Sequence, residues 1–109
     1  MSQLKELEQL LVQFRDERDW KQFHNPKDLA AALSIEAGEL LEAFLWKSAE
    51  EAKIEKVKEE LADVLAYAIL IGHHYDLDLE QVVREKVLKN GEKYPVEKAK
   101  GSATKYNEL

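Results

Sequence analysis

Apolar residues recur along the start of the chain at steps of three and four: Leu4, Leu7, Leu11 and Phe14, with Leu10 widening the stripe. This heptad-like pattern predicts a helix over residues 2–18, its seam serving core packing or a subunit contact. Residues 19–24, DWKQFH, form an aromatic connector with no strand alternation. Asn25-Pro26 then reads as a helix start, with Asn as N-cap, Pro at the first helical position and Asp28 at the positive end of the dipole. The pattern carries this second helix from Pro26 to about Lys47, with Leu29, Leu33, Leu40, Leu41, Phe44 and Leu45 as its apolar surface. Gly38, beside Ala37, costs about 1 kcal/mol against alanine inside a helix, which points to close packing or ligand approach.

Ser48-Ala-Glu-Glu51 is a capping box that opens a third helix. Its first half, to about Asp63, is strongly charged, whereas residues 64–71, VLAYAILI, are apolar on every side. Eight such residues are too few for a bilayer, so they are buried in protein; in so small a chain this suggests cover from another subunit. Residues 72–76 close that helix. Asp78 caps a fourth, over residues 79–89, with Leu79, Val82, Val83 and Val87 inward and Asn90-Gly91 as its stop. From Tyr94 onward the tail lacks apolar periodicity and is expected to be irregular unless it docks. The class is all-α with four helices and no strand.

The length of 109 residues fits one domain spanning 1–109, with 94–109 as its tail. Hydrophobic residues at 45% and charged residues at 35% describe an amphipathic helical protein. The lack of cysteine excludes disulfides, thiolate metal sites and cysteine nucleophiles. No membrane span and no secretory leader is recognised, so the cytoplasm is the expected compartment. A net charge of −6 argues against a nucleic-acid surface. An anionic small substrate would need metal ions and a few local lysines.

The candidate chemistry lies in two acidic pairs, Glu36/Glu39 and Glu60/Asp63, each at a spacing of three. In a helix that spacing puts both carboxylates on one face. The apolar pattern breaks near residues 47–50. If the chain folds back there, Glu36 falls level with Asp63 and Glu39 with Glu60, and four carboxylates converge. Like charges at that range oppose folding unless a cation is shared, and oxygen ligands suit Mg²⁺ or Mn²⁺. On residue chemistry alone, a shared metal site and a charged interface both remain open. A di-iron bundle needs Glu-x-x-His, and none of His24, His73 and His74 supplies it. His73 and His74 point to different faces and read as a helix-end pair. Lys86, Asn90, Lys93 and Tyr94 form a second cluster, either lysines opposing a helix dipole or donors to phosphate. Trp20, Phe23 and Trp46 are core aromatics or flat walls for a base.

The layout ExxE, gap, ExxD, then KxxxNxxKYP resembles the MazG-like all-α nucleoside triphosphate pyrophosphohydrolases. The stretches RDWKQFHNPKDLAAALSIEAGELLEAFLW, KEELADVLAY, DLEQVVREKVLKNGEKYP and KGSATKYNEL look like the dCTP pyrophosphatase branch. One departure is Ile35, where some relatives carry the first Glu of a doubled EExxE. The resemblance implies helical subunits in an intertwined homo-oligomer, a tetramer rather than a dimer. It implies Mg-dependent hydrolysis of a dCTP-like triphosphate to monophosphate and pyrophosphate, clearing unwanted nucleotides. Carried over, Glu36, Glu39, Glu60 and Asp63 hold Mg²⁺, with Glu36 or Glu39 activating water. Lys86, Asn90, Lys93 and Tyr94 match the phosphate-contacting segment. Trp20, Phe23, His24 and Trp46 match the base-recognition region, some supplied by a neighbouring subunit. The rival readings are a non-catalytic helical oligomerisation module and the same enzyme class acting on dUTP or another nucleotide.

Overall fold

Side-chain caps set the starts of three helices. In the computed structural model, which describes residues 2–109, Ser2 Oγ accepts the Lys5 N–H and begins α1, Gln3–Glu17. Asn25 Oδ1 accepts the Asp28 N–H and begins α2, Pro26–Glu42. Asp78 Oδ1 accepts the Gln81 N–H and begins α4, Leu79–Lys93. Between α2 and α4 runs α3, Ile54–His74, and a single-turn α5, Val96–Ala99, follows α4. Short 3₁₀ turns occupy Lys21–Phe23, Ala49–Glu51 and Tyr106–Glu108. Among the described residues there are five α-helices, no strand, and no helix long and apolar enough to cross a membrane.

Three boundaries differ from the sequence pattern. The second helix ends at Glu42, not Lys47, because the N–H groups of Phe44 and Leu45 bond three residues back to Leu41 and Glu42. Trp46 then takes a left-handed conformation, φ 58°, and turns the chain. Glycine commonly fills such a position after a helix, so no local signal marked it. The Ser48 capping box forms, with the Ser48 N–H donating to Glu51 Oε1 at 2.9 Å, but it closes a 3₁₀ turn and α3 starts later. The fourth helix runs through Asn90-Gly91 to Lys93. Gly91 keeps an ordinary helical φ, and the helix stops instead at Tyr94, the residue before Pro95, which proline disfavours in a helix.

The chain divides into two units, one reaching Leu77 and the other covering Asp78–Leu109. In the first, α3 is the shared partner: α2 lies along it and α1 also packs against it. The buried apolar core among the described residues is thin: Leu29, Ala43, Ile69 and Leu70. Many large apolar side chains stay exposed, including Phe14 on α1, Ile35 and Leu41 on α2, and Ile54, Leu61 and Leu65 on α3. A Cβ at Gly38 would meet nothing within 4 Å, so no described residue makes the close approach expected there. In the second unit, Tyr106 packs edge-on against Tyr94, ring centroids 6.0 Å apart, and the Lys93 ammonium lies 4.9 Å from the Tyr106 ring.

Candidate active site

Three residues separate Glu36 from Glu39 on α2, and Glu60 from Asp63 on α3, so each helix presents its pair on one face. The turn at 43–53 brings the pairs together. Carboxylate oxygens of Glu36, Glu60 and Asp63 all lie within 4.8 Å of one another. Glu39 is within hydrogen-bonding reach of both Glu36 and Glu60. Glu60 is the most enclosed, its side chain 4% exposed, Glu36 is half-buried and Asp63 is open to solvent.

Crowded carboxylates cannot all ionise cheaply. Burial pushes the Glu36 carboxyl up to about 7, helped by its hydrogen bond to Glu39, the charges of Glu39 and Asp63, and a hydrogen bond to Glu60. Glu60 moves the other way, held below its ordinary value first by Lys56, whose Nζ lies 2.8 Å from Glu60 Oε1. With the carboxyls ionised, Glu36 Oε2 and Glu60 Oε2 are buried without a hydrogen-bond donor among the described residues. Two stranded anionic oxygens beside two further carboxylates, with no sulfur or imidazole in the set, fit a hard divalent cation such as Mg²⁺.

A pH dependence follows. From the ordinary value of 4.5 up to about 7, folded Glu36 retains a proton that the unfolded chain has released. Its contribution to stability is therefore full below that window and lost as pH rises through it. His24 is lowered from 6.5 by burial and by Arg15, which works in the opposite direction. The Glu36 share is thus read as a difference. In chelator, the midpoint of thermal unfolding should fall with pH across this window more steeply for the unaltered chain than for Glu36→Gln. Identical slopes would show that Glu36 does not carry the proton.

Beside the acids lies a cavity of about 360 Å³, lined by Leu11, Phe14 and Arg15 of α1, Trp20 and His24 of the connector, and Asp63, Ala66, Tyr67 and Leu70 of α3. Its volume is in the range of small-molecule sites. Asp63 belongs to both the acidic cluster and the cavity wall. Trp20 is set edge-on to Phe14, centroids 5.8 Å apart, and His24 Nδ1 is buried without a partner. Of the aromatics singled out in the sequence, Trp20 and His24 line the cavity, whereas Phe23 and Trp46 do not, Trp46 being 92% exposed. Lys86, Asn90, Lys93 and Tyr94 lie in the other unit, on exposed positions of α4 and its cap, where the Tyr94 N–H donates to the Asn90 carbonyl at 2.8 Å. Two polar wall residues, Arg15 and Tyr67, were not among the sequence candidates. Both had a signal: Arg15 follows Leu11 by four on the apolar stripe, and Tyr67 follows Asp63 by four.

The family model described as MazG-like matches residues 31–109. The chain belongs to the MazG-like family. Over 114 aligned positions it is 40% identical to mouse dCTP pyrophosphatase 1, covering 97% of this chain and 67% of the mouse protein. The human dCTP pyrophosphatase 1 is 38% identical over the same shares. Among solved structures, a pyrophosphatase from Archaeoglobus fulgidus superposes with a TM-score of 0.80 at 38% identity, covering 87% of this chain and 94% of that one. Among the described residues, the acidic cluster is a group of carboxylates that could hold a metal ion, and the cavity adjoins it at Asp63.

Proposed function

We propose that the chain hydrolyses the α–β phosphate linkage of deoxynucleoside triphosphates, dCTP-like ones foremost, to the monophosphate and pyrophosphate. The observation that carries this reading is the double membership of Asp63, which puts a cation-ready acid cluster at the wall of a cavity sized for a base or sugar. The names of the mouse and human relatives support dCTP as the substrate.

Glu36, Glu39, Glu60 and Asp63 would hold Mg²⁺, with Mn²⁺ as a substitute. Bound there, the cation offsets triphosphate charge and makes a water more acidic. Glu36 or Glu39 takes the proton of the attacking water. The water oxygen bonds to phosphorus as the bridging bond breaks, and pyrophosphate carries off the electron pair. Lys86 and Lys93 counter the charge gathering on that leaving group, while Asn90 and Tyr94 orient the phosphates. Trp20 and His24 flank the base. Residues 1–109 act as one catalytic domain, working in the cytoplasm to clear unwanted nucleotides, with no nucleic-acid or membrane partner.

The working form is an intertwined homo-oligomer, a tetramer rather than a dimer. The thin core and the exposed apolar side chains of α1, α2 and α3 support association. Trp46 supports it further: a bulky residue left 92% exposed on a left-handed backbone suits a wall offered to a neighbouring subunit's base site, and exposed Phe23 is a second candidate for that role. A monomer mass in sedimentation would remove this part of the proposal.

The experiment is a nucleotide panel with Mg²⁺ and identification of products. Pyrophosphate plus monophosphate, fastest from dCTP, is expected. Faster release from dUTP or another nucleotide would keep the reaction and change the substrate. Absence of product from every nucleotide, with the protein folded and associated, would leave a non-catalytic helical module.

A further inference from the structure

Arg15 is the charged residue buried outside the acidic cluster, 8% exposed, and it forms part of the cavity wall. A guanidinium taken out of water needs a counter-charge and hydrogen bonds. Asp16 supplies the first: Arg15 Nε donates to Asp16 Oδ1 at 2.9 Å, and Nη2 lies 2.9 Å from the same oxygen. That contact engages Nε and one N–H of Nη2; the outer edge, made of Nη1 and the second N–H of Nη2, makes no hydrogen bond to a described residue. The backbone around it is fixed, because the Arg15 carbonyl accepts the N–H groups of Arg18 and Trp20. Capping the end of α1 does not explain it, since Arg18 Nη1 already donates to the Phe14 carbonyl at 2.9 Å. The same cavity is lined by His24, whose Nδ1 is buried without a partner and whose pKa is lowered by burial and then by the Arg15 charge. Two polar groups therefore face a mostly apolar cavity with unspent hydrogen-bonding capacity.

We propose that Arg15 is a specificity-determining residue that reads the base: its outer edge donates to the adjacent acceptors O2 and N3 of cytosine. Uracil and thymine carry an N–H at position 3, so the same two-pronged donor meets one acceptor and one opposing donor. Arginine recognises guanine through an adjacent O6/N7 pair by the same geometry, and such a bidentate contact discriminates by about tenfold to a hundredfold. The inference rests on the pyrophosphohydrolase reading, with the base in this cavity.

The test compares dCTP with dUTP as substrates for the unaltered chain, Arg15→Lys and Arg15→Gln, with thermal unfolding to confirm that each is folded. Arg15→Lys keeps the charge and loses the fork. In both variants kcat/KM for dCTP should fall by about tenfold or more, chiefly through KM, while the dUTP value holds. Equal losses on both substrates, or an unchanged ratio, would overturn the assignment and leave Arg15 a structural residue. Should Arg15→Gln fail to fold, Arg15→Lys carries the comparison. Calorimetry of the unaltered chain and of Arg15→Lys with dCMP and dUMP is independent of turnover: tighter binding of dCMP by about tenfold is expected in the unaltered chain and its loss in the variant, and equal binding or an unchanged ratio overturns the assignment. Lack of turnover with any nucleotide would instead overturn the proposed reaction, while that binding ratio still reads Arg15.

Discussion

Glu60→Gln should abolish pyrophosphate release, lowering kcat/KM by about a thousandfold or more with little change in thermal stability. Glu60 is the most enclosed of the four acids, and one of its oxygens is buried without a donor. Replacing it by an amide of the same shape removes a ligand charge and places an N–H₂ where a cation would sit. Several kcal/mol of charge stabilisation, at about 1.4 kcal/mol per tenfold, gives a loss of that size. The Lys56 ion pair also goes, but Lys56 is half-exposed, so water replaces most of what it loses. Glu39→Gln should behave alike. Glu42→Gln, exposed on the same helix, should be silent. Magnesium titration by calorimetry separates the cases: uptake should weaken in Glu60→Gln and Glu39→Gln and stay normal in Glu42→Gln. Full turnover by Glu60→Gln would eliminate the acidic cluster as the reaction centre.

The largest stability effect is expected for Leu29→Ala. Leu29 is 2% exposed, the buried residue of α2, in a unit whose core is thin. Truncating a buried leucine costs about 2–5 kcal/mol, because the cavity left behind closes only in part. Against a total of about 5–15 kcal/mol this is a large share, and the unfolding midpoint should drop by about 10 °C or more. Leu29 and Glu36 are seven residues apart, two turns along the same side of α2. The leucine therefore anchors the helix that carries half of the acids. At low temperature, where the variant is still folded, turnover per folded molecule should stay near normal. A shift of only a few degrees would mean that α2 is held by contacts outside the subunit.

Where local chemistry decided the structure, the sequence was readable. Ser2, Asn25 and Asp78 are capping residues whose side chains reach their own backbone, so three helix starts needed no knowledge of the tertiary fold. The two acidic pairs were legible because helical spacing and a break in the pattern imply a hairpin. The end of α2 was not, since its turn depends on a tryptophan in a conformation that tryptophan rarely adopts. Asn90-Gly91 misled for a related reason: glycine permits a left-handed stop without requiring one, and the constraint came from Pro95 instead. The cavity was half legible. Trp20 advertises itself by type and His24 came in through the family resemblance, whereas Arg15 gains its importance only from the packing of α1 against α3 around it.

The pairing of Lys56 with Glu60 has a further consequence. A half-exposed ammonium tethered one helical turn from the acids partly quiets their repulsion when divalent ions are scarce. If these acids hold a divalent ion as proposed, the chain deprived of it would keep its fold, with the lysine as a stand-in for part of the missing positive charge.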